Sequence, residues 1–250
     1  HSRTGLSTPY LSDAFMHAVR TSAEEAEKLG MRAYLYDEDR WPSGAAGGLV
    51  TKDEKYRARN LLFTNKKDAA LYLNEDSCAA GGRSGKGRLL ACYDIVLDAD
   101  GYLLSYKKIE DTDEAKGQKW YALLEIHQPS GWYNDKTYVD TLSKEAIERF
   151  VEVTHKRYLE KVGDEFDKTV PAIFTDEPQF TRKQTLRNSV TAEDTDINMP
   201  WTDKVPELYK EAYGADIFET LPEVFWDLPG GKPSVARYRY HDFIAELFAS

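Results

Sequence analysis

The sequence predicts an α/β fold: part of a (β/α)8 TIM barrel, interrupted by an antiparallel β-rich insertion. Three observations predict it. Two short apolar runs, at 31–36 and 170–174, each stop at acids, Asp37-Glu38-Asp39 and Asp176-Glu177. Each run follows a segment with helical spacing, and strand, helix and strand in that order imply right-handed crossovers and a parallel sheet. Two parallel strands leave apolar edges open, whereas a closed barrel needs about eight such units. The chain is therefore expected to hold the front part of a barrel, cut at both ends.

The first helix is expected over 11–30. Ser12 is a good N-cap, Asp13 suits the first turn, and Leu11 and Met16 are spaced as a hydrophobic staple. Phe15, Ala18, Val19, Ser22, Ala26 and Leu29 share a helical face, and Gly30 is placed to end it in a left-handed turn. The strand at 31–36 follows, then a turn-rich loop over 41–50. Glycines let that loop approach a ligand closely, but no Lys-Ser/Thr pair closes it, so it is not a phosphate-binding loop. From 51 to 138 the pattern changes to strands, expected at 71–73, 88–97, 102–107 and 120–126, with a tight turn at Asp100-Gly101. Asp98 and Asp100 lack the remaining spacing of a calcium loop.

The α/β pattern resumes with a helix capped by Ser143 and stapled by Leu142 and Ile147. Ile147, Phe150, Val151, Thr154 and Tyr158 form one face of it. The run at 170–174 is continuously apolar, as a strand covered on both faces should be, and Pro178 stops its ladder. A polar loop over 181–200, a short helix near 205–213 and a last helix from Ser234 complete the chain. Three segments result: 1–50, the start of the barrel; 51–138, the insertion; and 139–250, the continuation of the barrel.

Ligands of parallel sheets sit at the C-terminal ends of the strands, where both acidic clusters fall. A partly desolvated carboxylate there suits a general acid, while an acidic turn without chemistry explains the same residues. The net charge of −10 argues against nucleic acid or an anionic membrane as partner. No apolar run approaches the roughly 20 residues of a spanning helix. Cys78 and Cys92, with no histidine cluster, do not make a zinc site, and the compartment stays open between cytoplasm and export. His17, His155 and His241 fall on predicted helices and are expected to be structural or exposed. No signal peptide is visible at His1, where the chain is expected to begin mid-protein.

Three stretches carry a resemblance. They are His1-Ser-Arg-Thr-Gly-Leu-Ser-Thr-Pro-Tyr-Leu11, Leu35-Tyr-Asp-Glu-Asp-Arg-Trp-Pro-Ser-Gly-Ala-Ala-Gly-Gly48 and Phe174-Thr-Asp-Glu-Pro178. Together they resemble the opening barrel of glycoside hydrolases related to family 106, the α-L-rhamnosidase group. The region from Tyr213-Gly214 to Phe248 also fits that family, and Arg40 departs from the glycine its relatives often carry. The resemblance implies a glycosidase acting on plant or bacterial polysaccharides, inverting configuration with two carboxylates and sometimes holding calcium, the one cofactor it raises. It implies Glu177 as general acid with Asp176 in support, and a partner carboxylate outside this chain. His1, Arg3, Asp37, Asp39, Trp41 and Asp140 would bind substrate, although Trp41 equally suits plugging the barrel mouth and Asp140 capping a helix. The expected partners are a carbohydrate and the remaining domains of the same polypeptide, the isolated piece being inactive. A non-catalytic carbohydrate-binding barrel and a metal-dependent sugar enzyme are the alternatives.

Overall fold

In the computed structural model, which describes residues 7–72, 81–186 and 195–250, the chain divides into two units. Unit 1 joins His1–Arg57 to Pro129–Gln179, and unit 2 joins Ala58–Gln128 to Phe180–Ser250. The strands are β1 (Leu35–Tyr36), β2 (Arg59–Thr64), β3 (Arg88–Leu97), β4 (Leu103–Ile109), β5 (Gln118–Ile126), β6 (Ile173–Phe174) and β7 (Asp196–Pro200). The helices are α1 (Asp13–Lys28), α2 (Lys144–Val153), α3 (His155–Val162), α4 (Val205–Tyr213), α5 (Ile217–Thr220), α6 (Pro222–Phe225) and α7 (Val235–Ala249). His1, Arg3, Leu73 and Cys78 lie outside the described residues.

Unit 1 carries the parallel pair. β1 and β6 pair in register Leu35↔Ile173 and Tyr36↔Phe174. Amides of Ala33, Leu35 and Asp37 donate to Thr169, Ala172 and Phe174 O at 2.9–3.3 Å. Beneath the pair, Met16 and Ala23 of α1, Leu35, and Tyr158 and Val162 of α3 form a buried cluster with Leu11 and Val170. Ser12 caps α1 as its sequence predicts, its Oγ accepting from Phe15 N at 3.2 Å. The helix predicted through Tyr158 is instead two, broken at Thr154, whose Oγ1 and N both donate to Phe150 O.

Unit 2 holds an open five-stranded antiparallel sheet in the order β4-β3-β5-β2-β7. One face carries Leu61 and Phe63 of β2 with Trp120 of β5; Phe225 stacks on Phe63 with ring centroids 4.1 Å apart, and Trp226 meets Phe63 and Trp120 edge to face. The other face is mixed and equally buried, with Asn60, Glu125 and Asn198 upon it beside Leu62 and Leu123. The β4 edge strand carries Lys107 and Lys108, a charged rim that discourages pairing with another chain.

No barrel forms among the described residues, which corrects the expected fold class. The parallel sheet has two strands and neither sheet is closed. The physical reason lies in 180–250. Instead of extending the parallel sheet, this stretch gives β7 to β2 and its aromatic residues to the antiparallel sheet, so the β-rich segment shares its core with the last third of the chain. β2, buried on both faces, is not among the predicted strands, and of 71–73 only an isolated bridge from Tyr72 to Arg83 is seen. The turn after β3 is one residue longer than predicted. Asp98 N donates to Tyr102 O, Gly101 takes φ 83°, and Asp98 Oδ1 accepts from the amides of Asp100 and Tyr102. That aspartate organises a turn.

Candidate functional site

Side chains alternate along β1 and β6, and the alternation sorts the acids at their ends. Leu35 and Ile173 point into the helical core, and Asp37 and Thr175 continue on that side. Tyr36, Phe174 and Asp176 share the opposite side. The rings of Tyr36 and Phe174 stack with centroids 6.0 Å apart, Phe174 remains 56% exposed, and Tyr36 OH donates to Asp176 Oδ2 at 3.0 Å. An aromatic surface next to a hydrogen-bonded carboxylate thus faces outward at the C-terminal ends of the two strands.

Asp37 is not on that surface. It is fully buried, and its Oδ1 accepts from Ser43 Oγ at 2.6 Å. Its Oδ2 accepts from Thr175 Oγ1 at 2.6 Å and lies 3.1 Å from His155 Nε2. Ser43 continues the chain of contacts, its Oγ accepting from Asp176 N and its own N donating to Asp176 O, both at 2.9 Å. Asp37 and Ser43 together tie the ends of β1 and β6 to each other, so the substrate contact expected of Asp37 is replaced by a positioning role. Sequence reading missed His155, because only the break at Thr154 brings it to the start of α3 beside Asp37.

Glu38, also missed, organises the glycine-rich loop. Its Oε1 accepts from the amides of Asp39 (2.8 Å) and Gly47 (2.6 Å), and its Oε2 from those of Gly44 (3.0 Å) and Ala46 (2.7 Å). Burial pushes its pKa up to about 7, against the pull of those four amides. The signal was its place between Asp37 and Asp39, directly before a loop of turn residues. Gly44 and Gly48 fit the loop against its surroundings: a Cβ on Gly44 would stand 2.5 Å from Val139 Cγ1, and one on Gly48 2.6 Å from Lys136 Cγ.

Asp39 is half-buried, with Arg40 Nε 3.9 Å from its Oδ2. Trp41 meets Trp132 edge to face at 5.8 Å, and its carbonyl accepts from Trp132 Nε1 at 2.8 Å. Asp140 is buried before α2, where its Oδ1 accepts from Leu142 N at 3.1 Å, while Ser143 caps that helix. Glu177 is exposed, in a left-handed conformation (φ 42°) that non-glycine residues seldom adopt, directly before Pro178. Among the described residues no group of three or more His, Cys, Asp or Glu side chains is arranged to hold a metal ion, and no helix is long and apolar enough to cross a membrane.

Comparison of the chain with protein-family models, with curated proteins and with solved structures gives no match.

Proposed function

We propose that the outward face of unit 1 acts on carbohydrate as a glycoside hydrolase, with Glu177 as the general acid. The observation that carries this reading is the Tyr36–Phe174–Asp176 surface: an exposed ring for the apolar face of a pyranose, beside a carboxylate fixed by a tyrosine hydroxyl, at the end of a parallel strand pair. The resemblance of 35–48 and 174–178 to rhamnosidase-type barrels supports the same reading. The Glu177 proton passes to the glycosidic oxygen as the bond from C1 to that oxygen breaks. Water adds to C1 and gives its proton to a second carboxylate. Neighbouring residues of one chain cannot stand on both sides of the bond, so Asp176 holds sugar hydroxyls and a further acid accepts that proton.

The test is turnover of a panel of aryl glycosides, α-L-rhamnoside included, by the polypeptide that carries these residues. Glu177→Gln is expected to lower kcat by about 10²–10⁴-fold, with the circular dichroism spectrum unchanged. Asp176→Asn is expected to act mainly on KM. Undiminished turnover in Glu177→Gln removes the assignment. One observation favours a second reading, carbohydrate binding without cleavage: Asp176 is already engaged by Tyr36, as a binding residue would be. Saturable sugar binding without turnover in the unsubstituted protein decides for it.

A further inference from the structure

The face of α1 predicted to be core is buried only in part: Phe15 and Val19 pack against the cluster around Met16 and Ala23. Met16 and Ala23 enter the core, whereas Ala18 and Ser22 stay exposed and line a pocket of about 300 Å³. Four aromatic residues also line it: Phe15 of α1, Tyr34 and Tyr36 at β1, and Tyr158 of α3. Glu38 completes the wall.

The polar groups of this pocket are largely engaged within the protein. Ser22 Oγ donates to Ala18 O at 2.8 Å, and Tyr158 OH to Tyr36 O at 2.9 Å. Both oxygens of Glu38 already accept two amides each. A sugar, with hydroxyls on every carbon, finds few acceptors or donors here, and a primary ammonium finds no carboxylate lone pair left for its N–H bonds. A quaternary ammonium needs neither. It has no N–H, it presents alkyl surface to Ala18 and Val19, its charge is attracted to aromatic faces, and above about pH 7 the field of the Glu38 carboxylate acts on it without a hydrogen bond. We infer that this pocket binds a small quaternary ammonium compound of the choline type. The pocket shares Tyr36 with the surface assigned to carbohydrate, but the inference does not rest on that assignment.

The experiment is titration of the protein with choline and with tetramethylammonium, by calorimetry and ligand-observed NMR, alongside the uncharged isostere 3,3-dimethylbutan-1-ol. Saturable one-to-one binding of the cations is expected, at least about tenfold tighter than the alcohol, the factor that about 1.4 kcal/mol of cation–π and charge attraction supplies. Tyr34→Ala, at a side chain 67% exposed and so without consequence for the fold, should weaken binding several-fold. Ala18→Trp, on the exposed side of α1, should fill the pocket and abolish it. Equal affinity for cation and alcohol, absence of saturable binding, or unchanged binding by Ala18→Trp each overturns the inference.

Discussion

Two ionisable groups enclosed by the protein, one in each unit, give stability opposite dependences on pH. Glu38 in the folded chain titrates near 7, above its ordinary 4.5. A raised folded pKa means that its contribution is fully present below about pH 4.5 and is lost as pH rises to about 7. His127 runs the other way. Its Nε2 is enclosed without a hydrogen-bond partner, and burial, then the nearby Arg59, lowers its pKa from 6.5 to about 4. Its contribution is present above about pH 6.5 and is lost as pH falls toward 4. Urea unfolding from pH 4 to 8 should therefore change slope in opposite senses in Glu38→Gln and His127→Gln. Parallel curves for the two variants would contradict both assignments. Glu38→Gln should also lose about 1–3 kcal/mol near neutral pH, because its amide nitrogen must face two backbone N–H donors.

Among the elements, the loop that follows β1 carries the most constraint, since it both wraps Glu38 and delivers Ser43 to Asp176. Gly44 holds φ 142° against buried Val139, a backbone state that costs a residue with a side chain about 1–3 kcal/mol before any collision. Gly44→Ala should lower the denaturation midpoint accordingly and loosen the link from Ser43 to Asp176. Its amide proton exchange at Asp176 should then rise, since Asp176 N donates to Ser43 Oγ. Retained midpoint and retained protection would show that the loop adapts. The break between α2 and α3 belongs to the same scale: one threonine bonded back to Phe150 turns a single predicted helix into two and aims His155 at Asp37.

For the molecule as a whole, the antiparallel sheet is assembled from stretches far apart in sequence, β2 at 59–64 pairing with β7 at 196–200. Such pairing closes long loops before it gains contacts, so unit 2 is expected to fold slowly compared with a helical domain. Its centre is aromatic, with Phe63, Trp120, Phe225 and Trp226 in mutual contact. Phe225 contributes from α6, outside the β-rich segment, so Phe225→Ala should cost about 3–5 kcal/mol and erase much of the near-ultraviolet circular dichroism from the two tryptophans. A loss below 1 kcal/mol would mean that the sheet has a core of its own and that 180–250 only covers it.

Local signals were legible from the sequence by itself wherever they are settled within a few residues. Ser12, Ser143 and Ser234 cap helices where side-chain chemistry places them, and β3 spans the predicted 88–97. The acids of 37–39 and 176–177 do gather at the ends of one parallel strand pair. Tertiary structure alone decided which of them face outward, because a period of two fixes alternation but not which side the helices cover. It alone decided that 180–250 joins the antiparallel sheet, because a strand's sequence records its apolar faces and not its partner. And it alone gave Glu38 its four amides and Asp37 its histidine, contacts that depend on where a loop and a helix start come to rest.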